Sequence, residues 1–293
     1  MSTNTMSIDP PLQYVEVNGA KLAYRSRGDV SKPLFITLHG GRGFGSHASD
    51  FKAYSPLSDQ FHIISFDYRG HGQSSFTPPF TFAQLVDDIE ALRTHFTKSE
   101  DEKVVICGGS FGGYLAQQYA ITYPEKVKYL ILRGTAPSHE HEAEALEIIQ
   151  QRSHLAPMAS VNMQKKVFGA FQDDDEMRLV MFAIGPLYSE GKYDPDKGLE
   201  SVRSTIYRAE SHNELYSEKE KYFDYRPRLK EIIAPTLIIV GERDWICPPS
   251  QSQIMHDGIP NSKLLVVPSA NHSVHHEKNA EVIAAIRDFV AKA

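Results

Sequence analysis

Two cysteines, one tryptophan and no long apolar run narrow the possibilities before any motif is read. Cys107 and Cys247 are too few for a disulfide framework, and both are read as reduced thiols. No stretch approaches the roughly 20 apolar residues that span a bilayer. Basic residues never cluster. The 31 Lys and Arg against 37 Asp and Glu leave a net charge of −6, so the concentrated positive face that nucleic acid requires is missing. Internal repeats and low-complexity segments are absent as well. The start, MSTNTMSIDPPLQYV, has no basic region followed by an apolar core and is not read as a secretory signal. The expectation is a soluble, cytoplasmic protein with neither membrane nor nucleic acid as partner.

What is present is enough chain for one large domain or two small ones. Its 293 residues, 41% hydrophobic and 23% charged, can bury a core without staples. QYVEVNG and KLAYRSRG read as an opening antiparallel pair turning at Asn18-Gly19. Continuous apolar runs follow: LFITLHG, HIISFDYRG, VVICGGS and KYLILRG. Strands apolar on both faces are what a sheet covered by helices on both sides requires. Between them TFAQLVDDIEALRTHF has helical spacing, with Thr81 as cap and Phe82, Leu85, Ile89, Leu92 and Phe96 on one face. This alternation predicts a mostly parallel α/β sheet. The rhythm stops near Pro137 and resumes at APTLIIVGERD, followed by KLLVVP and a closing helix. Residues 1–136 and 231–293 are therefore expected to form the core, and 137–230 an inserted helical lid.

One serine stands among four glycines where a buried strand becomes a helix. Gly108-Gly109-Ser110-Phe111-Gly112 fits G-x-S-x-G in the strand–turn–helix context that the motif needs. The tight turn presents the Ser110 hydroxyl, and the helix starting there aims free N–H groups at the reaction centre. Serine needs a base and an orienting acid, which should follow in the order acid, then histidine, each just past a strand. Asp244 lies three residues past TLIIVG, and His272 four past KLLVVP. Glu242 competes with Asp244, and the later position is preferred. His275 and His276 are expected at the start of the last helix, facing solvent, and their spacing does not support a metal site with His272. His139 and His141 are expected to be solvated.

Leu38 to Gly45, LHGGRGFG, falls one glycine short of a dinucleotide fingerprint because position 46 is serine. It is read instead as an oxyanion loop, with backbone N–H groups from Gly41 and Phe111 stabilising charge on the attacked carbonyl oxygen. Asp67 and Arg69, in FDYRGHGQS, are expected to brace loops against each other. No cofactor or metal is expected.

With these residues in view, the chain resembles the α/β-hydrolase superfamily over nearly its whole length. HGG at 39–41, DYRG at 67–70, GGSFGG at 108–113 and GERDWICP at 241–248 look most like the proline iminopeptidase group of serine peptidases. Those enzymes remove an N-terminal residue, often proline, and hold its free amine with acidic lid residues. The resemblance implies a Ser110–His272–Asp244 triad, oxyanion donors at Gly41 and Phe111, and Glu210 and Glu214 as candidate amine anchors, with exposed helix charges as the rival reading of both. Three positions depart from the group. Arg42 replaces the proline of His-Gly-Gly-Pro-Gly, Phe111 replaces tryptophan, and Tyr68 stands where glutamine is common. Arg42 beside the oxyanion loop would favour a substrate carboxylate. Serine rather than aspartate at 110 argues against dehalogenase and epoxide hydrolase mechanisms. The expected function is a serine hydrolase acting through an acyl-enzyme, an aminopeptidase first and an esterase or lactonase on a small metabolite second. A non-enzymatic small-ligand receptor on the same fold is a third reading. Oligomeric state is left open.

Overall fold

The computed structural model describes residues 9–188, 190 and 193–292; most of the start, which is not read as a secretory signal, therefore lies outside the described residues. Eight strands form one sheet: β1 (Gln13–Val17), β2 (Ala20–Arg27), β3 (Leu34–Leu38), β4 (His62–Phe66), β5 (Val104–Gly109), β6 (Val127–Arg133), β7 (Thr236–Gly241) and β8 (Ser262–Val267). Their order is β1-β2-β4-β3-β5-β6-β7-β8, with β2 antiparallel to both its neighbours, β1 and β4, and every other pair parallel. The opening hairpin pairs Val17 with Ala20 across Asn18 and Gly19, both at positive φ (47° and 75°). A right-twisted two-residue turn requires this, and Asn-Gly supplies it.

Every residue of β3, β4, β5 and β7 is buried, because helices cover both faces. The connecting helices are α1 (His47–Tyr54), α2 (Phe82–Phe96) and α3 (Phe111–Thr122). In α2, Thr81 accepts a hydrogen bond from the Gln84 amide at 3.2 Å, and Phe82, Leu85, Ile89 and Leu92 are buried against the sheet. After β6 the described elements are all helical until β7: α4 (His141–Arg152), α5 (Val161–Lys165), α6 (Asp174–Ile184), α7 (Pro195–Ser204) and α8 (Ala209–Leu215), with short 3₁₀ turns between. Ser160, Asp173 and Asp194 cap three of them. The two ends of this segment lie side by side. Ser138 bridges Asp224, and the Tyr225 amide donates to the Pro137 carbonyl at 2.8 Å. The chain thus leaves the sheet and returns at one place, so the sheet resumes with β7 beside β6. It ends with α9 (Pro249–Gly258), the short α10 (Val274–Glu277) and α11 (Asn279–Lys292).

Candidate active site

Every parallel strand points its carboxyl end at the same edge of the sheet, the edge where α/β proteins place their ligands. Ser110 sits there between β5 and α3 with φ 52° and ψ −121°. A side chain with a Cβ rarely adopts that region, and holding it there costs roughly 1–3 kcal/mol. The surroundings fix it. The Ser110 amide donates to Arg133 O at 3.0 Å, while Ser110 O accepts from the Gly113 amide at 2.9 Å and from Thr135 Oγ1 at 2.8 Å. Gly112 is required because a Cβ there would overlap the Leu38 carbonyl. Phe111 opens α3, and an amide in a first helical turn has no acceptor within its own helix.

Asp244 and His272 follow β7 and β8 and meet. His272 Nδ1 lies 2.9 and 3.0 Å from the two carboxylate oxygens of Asp244, both side chains being buried. Donation from Nδ1–H leaves Nε2 as the imidazole's acceptor. Asp244 Oδ1 also accepts from the Ile246 and Cys247 amides, each at 3.0 Å. Glu242 instead takes the Ser269 amide at 2.9 Å, away from the imidazole. Ser110 and His272 border the same cavity, of about 390 Å³, large enough for a small metabolite or the end of a short peptide.

The loop after β3 closes over the serine. A Cβ on Gly40 would stand 3.1 Å from that of Ser110, and Gly41 has φ +81°, a conformation that suits glycine. The Gly43 amide donates to His71 Nε2 at 2.8 Å, Gly43 O accepts from the Arg208 amide at 2.7 Å, and Tyr68 Oη donates to His39 O at 3.0 Å. As an acceptor His71 must be neutral, and burial pushes its pKa down to about 4. Asp67 and Arg69 do brace loops, but not against each other. Asp67 accepts from the backbone and ring of His47 and from the Gln73 amide, whereas Arg69 forms a bidentate pair with Asp88 at 2.6 and 2.7 Å. The two side chains of the motif leave the strand end on different errands, each drawn to the partner that packing places nearest.

Other expectations need correcting. Glu210 and Glu214 are exposed helix charges, the rival reading of both, and border a separate open depression with Asp173, Asp174 and Asp175 rather than the cavity. The carboxylate that does border the cavity, alone among the described residues lining it, is Asp50. Its Oδ1 lies 3.4 Å from Arg133 Nη2 and 3.6 Å from His275 Nε2, while Oδ2 has no partner among the described residues. Burial raises its pKa to about 6. His275, expected in solvent, is buried and borders the cavity, because the single turn of α10 turns Val274 and His275 inward. His141 is also buried, with Tyr114 Oη 3.0 Å from Nε2 and Ser138 O 2.8 Å from Nδ1. His139 is half-buried. Among the described residues no three His, Cys, Asp or Glu side chains are grouped to hold a metal ion.

Sequence reading missed Glu190. It accepts from Arg152 at 2.7 Å, from Arg243 at 3.0 Å and from Asn271 Nδ2 at 3.0 Å. Arg243 precedes Asp244 and Asn271 precedes His272, so one carboxylate ties both loops to the helical segment. Asn271 Oδ1 accepts the His272 amide at 2.8 Å. Its adjacency to the histidine was a usable signal; for Glu190, far away in sequence, there was none.

Comparison with known proteins shows the family and the fold. The family model described as the alpha/beta hydrolase fold matches residues 33–279. Proline iminopeptidase PfmaB of Pestalotiopsis fici is 55% identical over 282 residues, covering 96% of this chain and 100% of that one. A proline iminopeptidase of Lactobacillus helveticus is 28% identical over 283 residues, covering 93% and 95%. Among solved structures, a mutant of the meta-cleavage product hydrolase CumD superposes with a TM-score of 0.76 at 21% identity, covering 96% and 98%. A hydrolase from Pseudomonas aeruginosa PA01 gives 0.72 at 23%, covering 95% and 98%. At such identities these two show the fold alone.

Proposed function

The chain belongs to the α/β-hydrolase fold family and is a proline-iminopeptidase-like hydrolase; from that premise we propose that it works through an acyl-enzyme on Ser110. His272 Nε2 takes the Ser110 proton as Oγ attacks the scissile carbonyl, then gives it to the leaving group. Asp244 holds the imidazole tautomer and stabilises its charged form. Amides of Gly41 and Phe111 receive the oxyanion, each worth roughly 3–4 kcal/mol in the transition state. Water, deprotonated by His272, then releases the acyl group from Ser110. The observation that carries this reading is the Asp244–His272 bond opening, together with the strained Ser110, onto one cavity.

The substrate we assign is a small peptide or amide from which the N-terminal residue is released. The relative at 55% identity supports it. In place of Glu210 and Glu214, the free oxygen of Asp50 is the carboxylate available to a substrate ammonium. Residues 137–230 act as a lid on the core formed by 1–136 and 231–293. No helix among the described residues is long and apolar enough to cross a membrane, and we place the protein in the cytoplasm.

A second reading, hydrolysis of an ester or lactone of a small metabolite, is favoured by Arg42. It brings a positive charge to the cavity wall, where a free amine would be repelled. Proline para-nitroanilide and para-nitrophenyl acetate separate the two. Turnover of both supports the aminopeptidase; turnover of the ester alone removes it and leaves the second reading.

A further inference from the structure

Arg42 is buried, 4% exposed, yet neither Nη1 nor Nη2 has a hydrogen-bond partner among the described residues. Its guanidinium lies in an aromatic cage, with Cζ 3.8 Å from the Tyr216 ring centroid, 5.3 Å from Phe111, and 5.5 Å from both Phe82 and Tyr114. No carboxylate among the described residues pairs with it within 4.0 Å. Ring faces attract a cation but take its N–H groups only weakly, in place of the strong oxygen acceptors a guanidinium matches. A buried charge without a counter-ion is unfavourable unless something supplies one.

The backbone around Arg42 is not free to relieve this. The Arg42 carbonyl lies 3.0 Å from His212 Nδ1, and the next residue is held by His71 and Arg208. Arg42 borders the cavity that Ser110, Gly41 and His272 border. The nearby acid Glu142 has an equally unpartnered, buried Oε1, and burial raises its pKa to about 6 despite the attraction of Arg42.

We propose that Arg42 is the anchor for a substrate carboxylate, so that this hydrolase acts on small molecules carrying a carboxylate within reach of the scissile carbonyl. The inference deepens the hydrolase reading above and rests on it. A planar guanidinium with two free Nη groups matches a carboxylate in a bidentate pair. In a peptide substrate the group is the C-terminal carboxylate, which limits the enzyme to very short peptides. In an ester or lactone it is a pendant acid.

The test compares mono-para-nitrophenyl glutarate, charged, with para-nitrophenyl butyrate, neutral, on the wild type, Arg42→Met and Arg42→Lys. In the wild type kcat/KM is expected to favour the charged ester by about tenfold or more. That ratio should fall about 100-fold in Arg42→Met, mostly through KM, and less in Arg42→Lys, which keeps charge without the fork. A wild-type preference for the neutral ester overturns the proposal, as does a ratio that moves less than about threefold in Arg42→Met. Circular dichroism melting establishes that the variants fold. If Arg42→Met does not, the wild-type ratio and Arg42→Lys still decide. If the wild type turns over neither ester, the ester reading fails on its own, and calorimetry with glutarate decides about Arg42. Binding weakened in Arg42→Lys supports the anchor, and no binding by the wild type overturns it.

Discussion

Asp244 and Arg42 are both buried charges bordering one reaction centre, and they are held in opposite ways. At the carboxyl edge of the sheet, Asp244 has two amides and an imidazole on its oxygens. On the cavity wall, Arg42 has four rings around a guanidinium whose Nη groups make no hydrogen bond among the described residues. The carboxylate that orients the base is satisfied before substrate arrives, so no reorganisation of that pair is left for the reaction. The group proposed to recognise substrate is left unsatisfied, so that only a matching ligand completes it.

Variants at the satisfied edge should cost most. Ser110→Ala is expected to lower kcat by about 10⁴-fold to 10⁶-fold with an unchanged melting temperature. Asp244→Asn should cost about 10⁴-fold, because an amide no longer holds the Nδ1–H tautomer. A loss below tenfold in either would place the chemistry elsewhere. Away from the centre, Asp88→Ala strands the buried Arg69 guanidinium and should lower unfolding free energy by about 3–5 kcal/mol in a denaturant titration.

Acid sharpens the comparison. Burial lowers His39 to about 3, and His71, His141 and His212 to about 4. From their ordinary pKa of about 6.5 down to these values the unfolded chain binds more protons, so stability falls as pH falls, by about 1.4 kcal/mol per histidine per pH unit. Asp50 and Glu142, raised to about 6, work the other way between their ordinary values and pH 6, since the folded chain then binds the extra proton. The histidines outnumber them. Melting temperature should drop by several degrees per pH unit between about pH 6 and 4.5 in a scan at fixed ionic strength; a flat profile would mean that these four histidines are not buried neutral. The smallest effect is expected at Glu190→Gln. It loosens both loops without touching substrate and should lower kcat about tenfold with KM little changed.

The satisfied edge is also the legible one. Strand–turn–helix spacing around Ser110, and positions just past apolar runs for Asp244 and His272, are local patterns. The sheet follows from them because its strands are apolar on both faces. Thr81 could be read as a cap because capping spans only three residues. What escaped was set by packing over distance. Asp67 and Arg69 share a motif but find partners in His47 and Asp88. His141 lies in a charged run yet is sealed by Tyr114. Glu210 and Glu214 have a suitable charge, but helix orientation turns them to another depression. Arg42 was visible as a departure from His-Gly-Gly-Pro-Gly; its lack of partners was not.

The most direct measurement of the central claim is mass spectrometry of the protein after reaction with a fluorophosphonate. The account predicts one adduct per chain, on the peptide carrying Ser110, formed at least about 10³-fold more slowly when His272 is replaced by alanine. Labelling at another residue, or undiminished labelling of Ser110 without His272, would contradict it.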